Sequence, residues 1–537
     1  MSSLRRIAIV LGSLVAGMAI LVVAGLVWWN LDTGGGRYPD YRLDLDLTSG
    51  AAESGLFTAG AARASITPPV PDRWEDVNRN HRFDERVDRW IDGNHNGRFD
   101  AIWLAGFHHA RAAAGIHDDL WARAVVFGYP GCRVAICAVD LVGLFEDDVI
   151  AIRELVNEEL AGLPKSISYV IVAATHTHSG PDVMGIWGPS EMESGVNEAY
   201  LGRVRAIVVR TIIEAARAAE PAQVVFAAGS TGTDGFVRDS RPPVIIDDTV
   251  AVARFVRRST DETIATLVNW SNHPEALTSG NLLVTSDFPG YLRDAVEHGM
   301  PAARGRPARL GLGGMCIYLS GSVGGLMTPI GVRVPDHINA DTSYTTPTFA
   351  KAEALGRNVA AHVLDLVASA TAPLDAPPIS VRARTIFIPL ANRLFRAAGK
   401  IGVIPRAFAD GEVRSEVAVL RVGPSSWTCI PGEMYPEIVV GGVQHPHGAD
   451  FAEAPGETPP IRALMPGGPK FILGLANDEI GYIIPKSQWD EAKPFAYDLD
   501  RPPYGEVNSV GPDAAPAIHQ AIRTLWSRPA QGVAPAE

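Results

Sequence analysis

The stretch Tyr169-Val-Ile-Val-Ala-Ala-Thr-His-Thr-His-Ser-Gly-Pro181 decides how this chain folds and where its chemistry lies. It begins with a short apolar run, as in a β-strand that is buried on both faces. Ligands often bind at the loop that follows such a strand. His176 and His178 are two residues apart, so an extended backbone points both rings to one side. The stretch predicts a strand that carries a metal site; the alternative is a hydrogen-bonded pair of surface histidines.

A second segment with a histidine has a similar pattern. His273 follows the apolar run of Leu267-Val-Asn-Trp-Ser-Asn-His-Pro-Glu275, which again ends in polar residues and a proline. A zinc site needs three or more donors that converge from distant parts of the chain, with one position left open if the site is catalytic. The two histidine segments therefore provide candidates for two of those donors.

Nine short motifs, met in order along the chain, resemble the signatures of the neutral ceramidase family of zinc amidohydrolases, and they cover roughly residues 57 to 527. The motifs are Ala64-Ser-Ile-Thr-Pro-Pro69, Gly115-Ile-His-Asp-Asp-Leu-Trp-Ala-Arg-Ala124, Thr175-His-Thr-His-Ser-Gly-Pro181, Asn272-His-Pro274, Ser286-Asp-Phe-Pro-Gly-Tyr291, Ile430-Pro-Gly-Glu433, Gly474-Leu-Ala-Asn-Asp478, Gly481-Tyr482 and Tyr504-Gly505. The resemblance implies the family's α/β core and its site residues.

The resemblance implies four zinc ligands. They are His176, His273, Glu433 from the Pro-Gly-Glu turn, and Tyr482 from the Gly-Tyr pair. A set of nitrogen and oxygen donors suits zinc that acts as a Lewis acid. Outside the family context, a glutamate after Pro-Gly is typical of a solvated turn, and a single tyrosine is typical of packing.

The resemblance also implies three residues that surround the substrate. His178 lines the site as a hydrogen-bond donor or supports a ligand. Arg241, in Asp239-Ser-Arg-Pro242, matches the family arginine that faces the substrate, and Tyr497 matches the family tyrosine on the other side. The alternative is that Arg241 is only a surface charge and that Tyr497 is only a packing residue.

One segment departs from the family pattern. Ceramidases carry the nucleophilic serine in Gly-Asp-Val-Ser-Pro, and the matching stretch here is Tyr318-Leu-Ser-Gly-Ser-Val-Gly-Gly-Leu-Met-Thr-Pro329. Aligned on the proline, the serine becomes Thr328 and the aspartate becomes Leu326. Threonine keeps a hydroxyl, but its methyl group crowds attack and stiffens the side chain. Ser320, Ser322 and a zinc-bound hydroxide are alternative nucleophiles, and a tight loop without chemistry is a further alternative.

Two near copies of an Asp/Asn-rich loop precede the first core strand. They place oxygen side chains at loop positions one, three, five and nine, which resembles part of the EF-hand pattern for calcium. The residues are Asp76, Asn78, Asn80 and Asp84 in the first loop, and Asp92, Asn94, Asn96 and Asp100 in the second. Val87 and Trp103 stand where an EF-hand has its bidentate glutamate. A carboxylate such as Asp88 could complete a different cage, so the repeated pattern predicts a structural calcium ion. The alternative is a pair of plain solvated loops.

The N-terminus predicts the compartment. Ile7 to Trp29 is an apolar run, long enough to span a hydrocarbon core of about 30 Å. Arg5 and Arg6 precede it and Trp28-Trp29 end it, which orients the N-terminus inward. No clear small-x-small cleavage site follows, so a retained anchor is favoured over a cleaved signal peptide. Either segment predicts a globular part on the extracytoplasmic side, in the periplasm or at the cell exterior.

Composition narrows the class of partner. The chain has 537 residues, 47% of them hydrophobic, and a formal charge of −13. This charge argues against nucleic acid as a partner, and against an anionic membrane bound through a basic patch. Cys132, Cys137, Cys316 and Cys429 lie in or beside apolar runs without zinc-ligand spacing, so buried thiols and disulfides stay equally open.

The predicted elements favour an α/β sandwich around a mixed sheet. Strands are predicted near 124–127, 134–139, 169–174, 224–227, 250–255 and 263–270, and helices near 146–160, 198–219, 349–368 and 512–526. The predicted domains are a membrane anchor at 1–35, a linker at 36–56, one catalytic domain at 57–527 with the calcium insert at 72–103, and a disordered tail at 528–537. The C-terminal immunoglobulin-like domain of known ceramidases is expected to be missing.

Two functions follow from these expectations. The first is a zinc-dependent hydrolase that cleaves the amide bond of a ceramide-like N-acyl lipid, or another amide or ester. The second is a non-catalytic envelope protein that keeps the fold and the metal. The retained ligand set favours the enzyme, and the loss of Gly-Asp-Val-Ser-Pro favours the second function.

Overall fold

The computed structural model describes residues 37–49, 55–161, 166–303, 307–339, 341–406, 408 and 410–528, together with positions 18 and 25. The strands are β1 (Asp44–Ser49), β2 (Thr58–Ser65), β3 (Arg73–Glu75), β4 (Arg89–Ile91), β5 (Gly115–Ile116), β6 (Trp121–Tyr129), β7 (Cys132–Val139), β8 (Tyr169–Ala174), β9 (Glu220–Ser230), β10 (Arg238–Asp239), β11 (Thr249–Arg257), β12 (Thr263–Trp270), β13 (Leu283–Val284), β14 (Gly299–Met300), β15 (Arg309–Leu310), β16 (Met315–Ser320), β17 (Met327–Thr328), β18 (Val334–Pro335), β19 (Ser343–Tyr344), β20 (Ile379–Pro389), β21 (Glu412–Val422), β22 (Ser425–Cys429), β23 (Glu433–Met434), β24 (Lys470–Leu473) and β25 (Tyr482–Ile483). The helices are α1 (Glu146–Leu160), α2 (Glu198–Arg217), α3 (Phe288–His298), α4 (Phe349–Ala368), α5 (Arg393–Lys400), α6 (Pro436–Val440), α7 (Ile461–Leu464), α8 (Tyr504–Val507) and α9 (Ala514–Ser527).

Two sheets form the centre of the protein. The larger sheet has the strand order β16-β12-β11-β9-β2-β6-β7-β8, and the smaller one has the order β1-β20-β21-β22-β24. In the larger sheet the pairs β12–β16 and β7–β8 are parallel and the other pairs are antiparallel. The prediction of a mixed α/β sandwich is therefore confirmed. The smaller sheet is an addition that the sequence pattern did not indicate.

The main core lies between the two sheets. Phe127 and Phe255 of the larger sheet share one buried cluster with Val381, Leu420 and Trp427 of the smaller one. Burial of each such large side chain contributes roughly 1.5–3 kcal/mol. Helices α1 and α2 share a second cluster with the larger sheet, α3 and α4 share a third, and α9 packs on the smaller sheet. The sheets thus carry helices on their outer faces.

The predicted linker contains an edge strand. Within 36–56, β1 pairs antiparallel with β20, so that Leu45 lies opposite Ala383 and Leu47 opposite Val381. These leucines are partly buried against the core between the sheets. Their spacing of two residues is that of a strand with one face covered. This part of the predicted linker therefore completes the smaller sheet.

The larger sheet bends so that its two edge strands, β16 and β8, meet at their C-terminal ends. Ser320 Oγ at the end of β16 donates a hydrogen bond to the carbonyl oxygen of Thr175, just after β8, at 2.8 Å. The segment Gly474–Ala476 lies against both edges, because Gly474 N bonds to Ser320 O and Leu475 O accepts from Ala174 N. A Cβ atom at position 474 would lie 2.3 Å from Gly321 O, so only glycine fits. This closure brings the loops after β8, β12 and β16 together.

Several terminal predictions fall outside the described residues. Among the helices that the structure describes, none is long and apolar enough to cross a membrane. The predicted anchor from Ile7 to Trp29 lies outside the described residues except for positions 18 and 25, so it stays a prediction. The same holds for the tail beyond residue 528. The four cysteines lie within the described part and are all buried, free thiols.

Candidate active site

Two histidines present one ring nitrogen each to a common point. His176 follows β8, and its Nδ1 lies 2.6 Å from the carbonyl oxygen of Val142. His273 follows β12, and its Nδ1 lies 2.8 Å from the carbonyl oxygen of Met327. A carbonyl oxygen can only accept a hydrogen bond, so Nδ1 carries the proton, the ring is fixed, and Nε2 faces the common point. Both rings are therefore held in the orientation that a metal ligand needs.

Glu433 lies where those two nitrogens converge. Its Oε2 is 3.0 Å from Nε2 of His273 and 3.5 Å from Nε2 of His176. Strand β23 pairs in parallel with β25, so that Glu433 lies directly beside Tyr482. Both side chains are buried. The structure thus brings together all four residues for which zinc binding is predicted, and their role as ligands stays a prediction.

His178 completes a cluster of three histidines. The ligand atoms of His176, His178 and His273 lie within 4.8 Å of one another, and all three residues are buried. Histidine, cysteine and acidic side chains can all bind metal ions. Among those in the described residues, these three histidines are the group whose ligand atoms are close enough to share one ion. Nε2 of His176 is buried, and its contact with Glu433 Oε2, at 3.5 Å, is too long for a good hydrogen bond, as expected of a ligand atom.

The electrostatics of the cluster favour a positive charge. Burial lowers the pKa of His178 to about 4, although Glu275 acts in the opposite direction. For His273, burial is outweighed by Glu433 and Glu275, which raise its pKa to about 9. Burial is likewise outweighed for Glu433, because His176 and His273 hold its pKa well below the ordinary value. Two buried carboxylates thus draw a cation, either a proton or a metal ion, to the histidines.

Thr328 is connected to the cluster through Glu275. Thr328 Oγ1 donates to Glu275 Oε1 at 2.5 Å, and the other carboxylate oxygen lies 3.2 Å from Nδ1 of His178. The backbone N–H of Ile330 donates to the same hydroxyl at 3.0 Å. Thr328 follows directly after Met327, whose carbonyl holds His273. The hydroxyl is therefore oriented by a carboxylate that contacts the histidine cluster.

The two alternative serines are occupied elsewhere. Ser320 Oγ donates to Thr175 O, as described above, and Ser322 Oγ donates to Asp247 Oδ2 at 3.0 Å. Both hydroxyls are buried in contacts that hold the loop in place. Leu326, at the family's aspartate position, has a φ of +61°. The geometry favours Thr328 over both serines.

Arg241 and Tyr497 have polar partners that lie outside the histidine cluster. The Arg241 guanidinium pairs with Glu437 at 2.6 Å and lies 4.1 Å from the centre of the Tyr435 ring. The hydroxyl of Tyr497 donates to Gln444 Oε1 at 3.2 Å. The Tyr435 ring in turn lies 6.1 Å from that of Tyr482. Both residues lie in a polar cluster with Glu437 and Tyr435 that neighbours Tyr482, and the expectation that they face the substrate stays a prediction.

A buried acid in that neighbouring cluster gives a prediction of pH dependence. Burial raises the pKa of Glu506 to about 7, and Arg241 acts in the opposite direction. The unfolded chain ionises this group near 4.5, so its contribution to stability falls as pH rises from about 4.5 to 7. Glu506→Gln is expected to raise the free energy of unfolding at pH 8 by roughly 2–3 kcal/mol and to leave it unchanged near pH 4.

Denaturant titrations at the two pH values measure this difference. The control is Glu191→Gln, because Glu191 is exposed and its substitution should change neither value. Equal stability of Glu506→Gln and the wild type at pH 8 would contradict the prediction.

A cavity of about 300 Å³ opens beside the cluster. His176, His178, Glu433 and Tyr482 are among the residues that line it. The rest of the wall is mostly apolar and includes Phe107, Phe145, Met184, Ile186, Trp187, Phe395, Ile404, Phe408 and Ile480. Pockets of this kind, apolar with a few convergent polar groups, typically bind small molecules. The cavity therefore suits a ligand with an apolar chain next to its polar reacting group.

Two acidic residues of the site were not assigned a role from the sequence. Glu275 follows His273 by two residues, so the spacing rule that paired His176 with His178 applies to it as well. Glu479 lines the cavity, and its Oε1 accepts a hydrogen bond from the N–H of Gly481 at 2.7 Å. Gly481 O accepts from the N–H of Glu433, so Glu479 supports the glutamate loop. No sequence pattern indicated Glu479.

The two Asp/Asn loops share one set of internal hydrogen bonds. Asp76 and Asp92 each accept from backbone N–H groups four and five residues later, at 2.7–3.1 Å. The Asp88 carboxylate closes the first loop because it accepts hydrogen bonds from the N–H groups of Val77 and Asp84, the second and ninth residues of that loop. The Asp72 carboxylate closes the second loop in the same way, through the N–H groups of Gly93 and Asp100. The pairing of β3 with β4 holds the two loops side by side. These contacts explain the repeat without an ion, so calcium stays a prediction.

Chelation tests the calcium prediction. An ion that binds only the folded state adds stability by mass action. A calcium-selective chelator is therefore expected to lower the melting temperature while zinc stays bound. In Asp88→Asn, the fall in melting temperature on chelation is expected to be smaller. An unchanged melting curve would show that the loops are held by their own hydrogen bonds.

The fold and the motifs around the histidine cluster are similar to those of neutral ceramidase. Its sequence is 26% identical to neutral ceramidase from Pseudomonas aeruginosa over 199 residues, which is 34% of this chain and 29% of that protein. Its structure matches the crystal structure of that neutral ceramidase with a TM-score of 0.60 at 16% identity, over 90% of this chain and 76% of the other. A ceramidase complexed with C2 matches equally, at a TM-score of 0.60 and 16% identity, over 77% of its length. No family model matches the chain.

These similarities confirm the resemblance to neutral ceramidase that the motifs predict. The structural match extends over most of the chain and concerns the fold. The sequence match spans less than a third of the relative's length.

Proposed function

We propose that this protein is a zinc-dependent hydrolase that cleaves the amide bond of an N-acyl lipid of the ceramide type. The observation that carries the proposal is the histidine cluster itself, since His176 and His178 line a mostly apolar cavity and the oriented hydroxyl of Thr328 lies beside the cluster through Glu275. The sequence similarity to neutral ceramidase supports an amide as the bond that is cleaved.

The donor set fits zinc. His176 and His273 would bind through Nε2, Glu433 through a carboxylate oxygen, and Tyr482 through its phenol oxygen. The Nε2 of His176, which lacks a good hydrogen bond, and the two anchored Nδ1 atoms agree with this role. When bound, zinc supplies Lewis-acid polarisation of the substrate carbonyl.

The residues beside the cluster perform the proton transfers. Thr328 Oγ1 attacks the amide carbon while Glu275 Oε1 accepts the hydroxyl proton, a distance of 2.5 Å in the resting protein. The C–N bond then breaks, the proton passes to the leaving nitrogen, and an acyl ester remains on Thr328. Water hydrolyses that ester to release the fatty acid and restore the hydroxyl. His178 contacts the other carboxylate oxygen and orients it.

The compartment is part of the proposal. The apolar run from Ile7 to Trp29, with Arg5 and Arg6 before it, supports an anchored protein whose catalytic part lies on the extracytoplasmic side. The membrane would then be both the attachment site and the source of the lipid substrate.

Hydrolysis assays on the full chain in detergent, loaded with zinc, test the proposed function. The substrates are fluorogenic N-acyl amides with short and long acyl chains, and the matching esters. The proposal predicts cleavage of the amides, with a higher kcat/KM for the long chain because the cavity is apolar. Cleavage of the esters alone would show that the substrate is an ester and not an amide. No cleavage of either class, with zinc bound, would favour the non-catalytic envelope protein.

A further inference from the structure

Helix α5 (Arg393–Lys400) has a cationic face. Its three charged residues, Arg393, Arg396 and Lys400, are all basic, and they are three and four residues apart. At 3.6 residues per turn this spacing places them on one side of the helix. No residue of this helix is fully buried. The formal charge of the whole chain, −13, therefore does not describe this part of the surface.

Exposed apolar side chains lie next to this face. Leu394 is 69% exposed, Ile401 is 45% exposed, and Val507 and Tyr504 are 45% and 52% exposed. Large apolar side chains that are exposed together in this way mark interaction surfaces. We call these four residues and the three basic residues of α5 the mouth surface.

The mouth surface adjoins the cavity. Phe395, beside Leu394, lines the cavity, and so do Ile404, Tyr504 and Val507. The side chain of Asn392 caps α5 and donates to the carbonyl oxygens of Val507 and Ser509, at 3.0 and 2.8 Å. These bonds tie the helix to the segment that carries the other exposed apolar residues. An apolar route therefore leads from the mouth surface to the histidine cluster.

We infer that the mouth surface docks on an anionic lipid bilayer. Basic residues beside apolar side chains are the composition of helices that lie in the membrane interface, where each cation near an anionic leaflet adds to binding. Leu394 would enter the boundary between head groups and acyl chains, and the cations would contact phosphates. The inference deepens the proposed function, on which it rests for the identity of the substrate, since an N-acyl lipid would pass from the bilayer into the cavity without crossing water. The inference for this surface differs from the expectation from net charge, which argues against an anionic membrane bound through a basic patch.

A fluorophore at position 394 tests docking without any need for activity. The native cysteines are all buried, so Leu394→Cys can be labelled with an environment-sensitive dye in the full chain. The labelled chain is placed in nanodiscs of phosphatidylcholine, with or without phosphatidylglycerol, that contain quencher lipids. Quenching is expected to be at least about twofold stronger in the anionic discs. Leu310→Cys, at a residue 91% exposed, is the control and should show no such difference.

Charge reversal identifies the cations responsible. Arg393→Glu with Arg396→Glu should abolish the anionic-lipid dependence of the signal at position 394. The matched control is Arg203→Glu with Arg210→Glu on α2, which changes the net charge equally and should leave the signal unchanged. Equal quenching in neutral and anionic discs, or an equal effect of the two double variants, would overturn the inference.

Kinetics separate this inference from the proposed function. For a long-chain amide in anionic discs, the α5 double variant should lower kcat/KM by about tenfold or more, while hydrolysis of a short, soluble amide should stay unchanged. An equal loss on both substrates would overturn the role of the mouth surface in substrate entry. A wild-type chain that docks but hydrolyses neither amide would refute the proposed function and leave docking established by fluorescence.

Discussion

His273→Ala is expected to remove zinc from the protein and to lower kcat/KM for amide hydrolysis by at least about a thousandfold. The ring of His273 is fixed by the Met327 carbonyl and lies 3.0 Å from Glu433. Its loss removes one predicted ligand and leaves Glu433 with one histidine partner fewer. His176→Ala should have the same effect. Zinc content per chain and steady-state kinetics provide the two measurements.

An exposed histidine provides the control for this prediction. His298 lies at the end of α3, and its side chain is 66% exposed. His298→Ala should keep about one zinc per chain and wild-type kinetics. Full zinc retention in both His176→Ala and His273→Ala would refute the assignment of the metal site, whatever happened to activity.

Thr328→Ala is expected to lower kcat by at least about a thousandfold while zinc stays bound. Thr328→Ser keeps the hydroxyl and removes the methyl group that crowds attack, so it should retain or raise activity. Glu275→Gln cannot accept the hydroxyl proton at Oε1 and should lower kcat by about a hundredfold or more. These three variants leave the four predicted zinc ligands intact, so zinc content should not change.

The alternative nucleophile predicts a different pattern. If a water molecule held at the site attacks the carbonyl, Thr328→Ala and Thr328→Ser should both stay within about tenfold of the wild type. Under that mechanism the threonine side chain contributes only packing. Near-normal hydrolysis by Thr328→Ala would therefore remove Thr328 from the catalytic residues and leave the zinc hydrolase proposal intact.

Local pattern in the sequence was sufficient for six of the eight strands of the larger sheet, whereas β2 and β16 were not predicted. Buried strands read as unbroken apolar runs, and the predicted strand at 169–174 and the helices at 146–160 and 349–368 match the observed bounds. The smaller sheet was missed because its strands, such as β20 and β21, mix apolar residues with arginines. Those arginines are accommodated by partners distant in the chain; Arg382, for example, pairs with Asp46. Such pairing cannot be inferred from one segment alone.

Patterns along the chain were enough to identify the histidine pair after β8, the third histidine after β12 and the resemblance that singles out Glu433 and Tyr482. Each of these signals is carried by a few adjacent residues, so spacing and motif suffice to find it. The tertiary structure alone decided that the edges of the larger sheet meet, because that closure depends on contacts between Ser320, Thr175 and Gly474 across the whole chain. It also decided that Thr328 faces Glu275 and that Arg241 pairs with Glu437. A side chain's partner depends on three-dimensional proximity, which a motif does not encode.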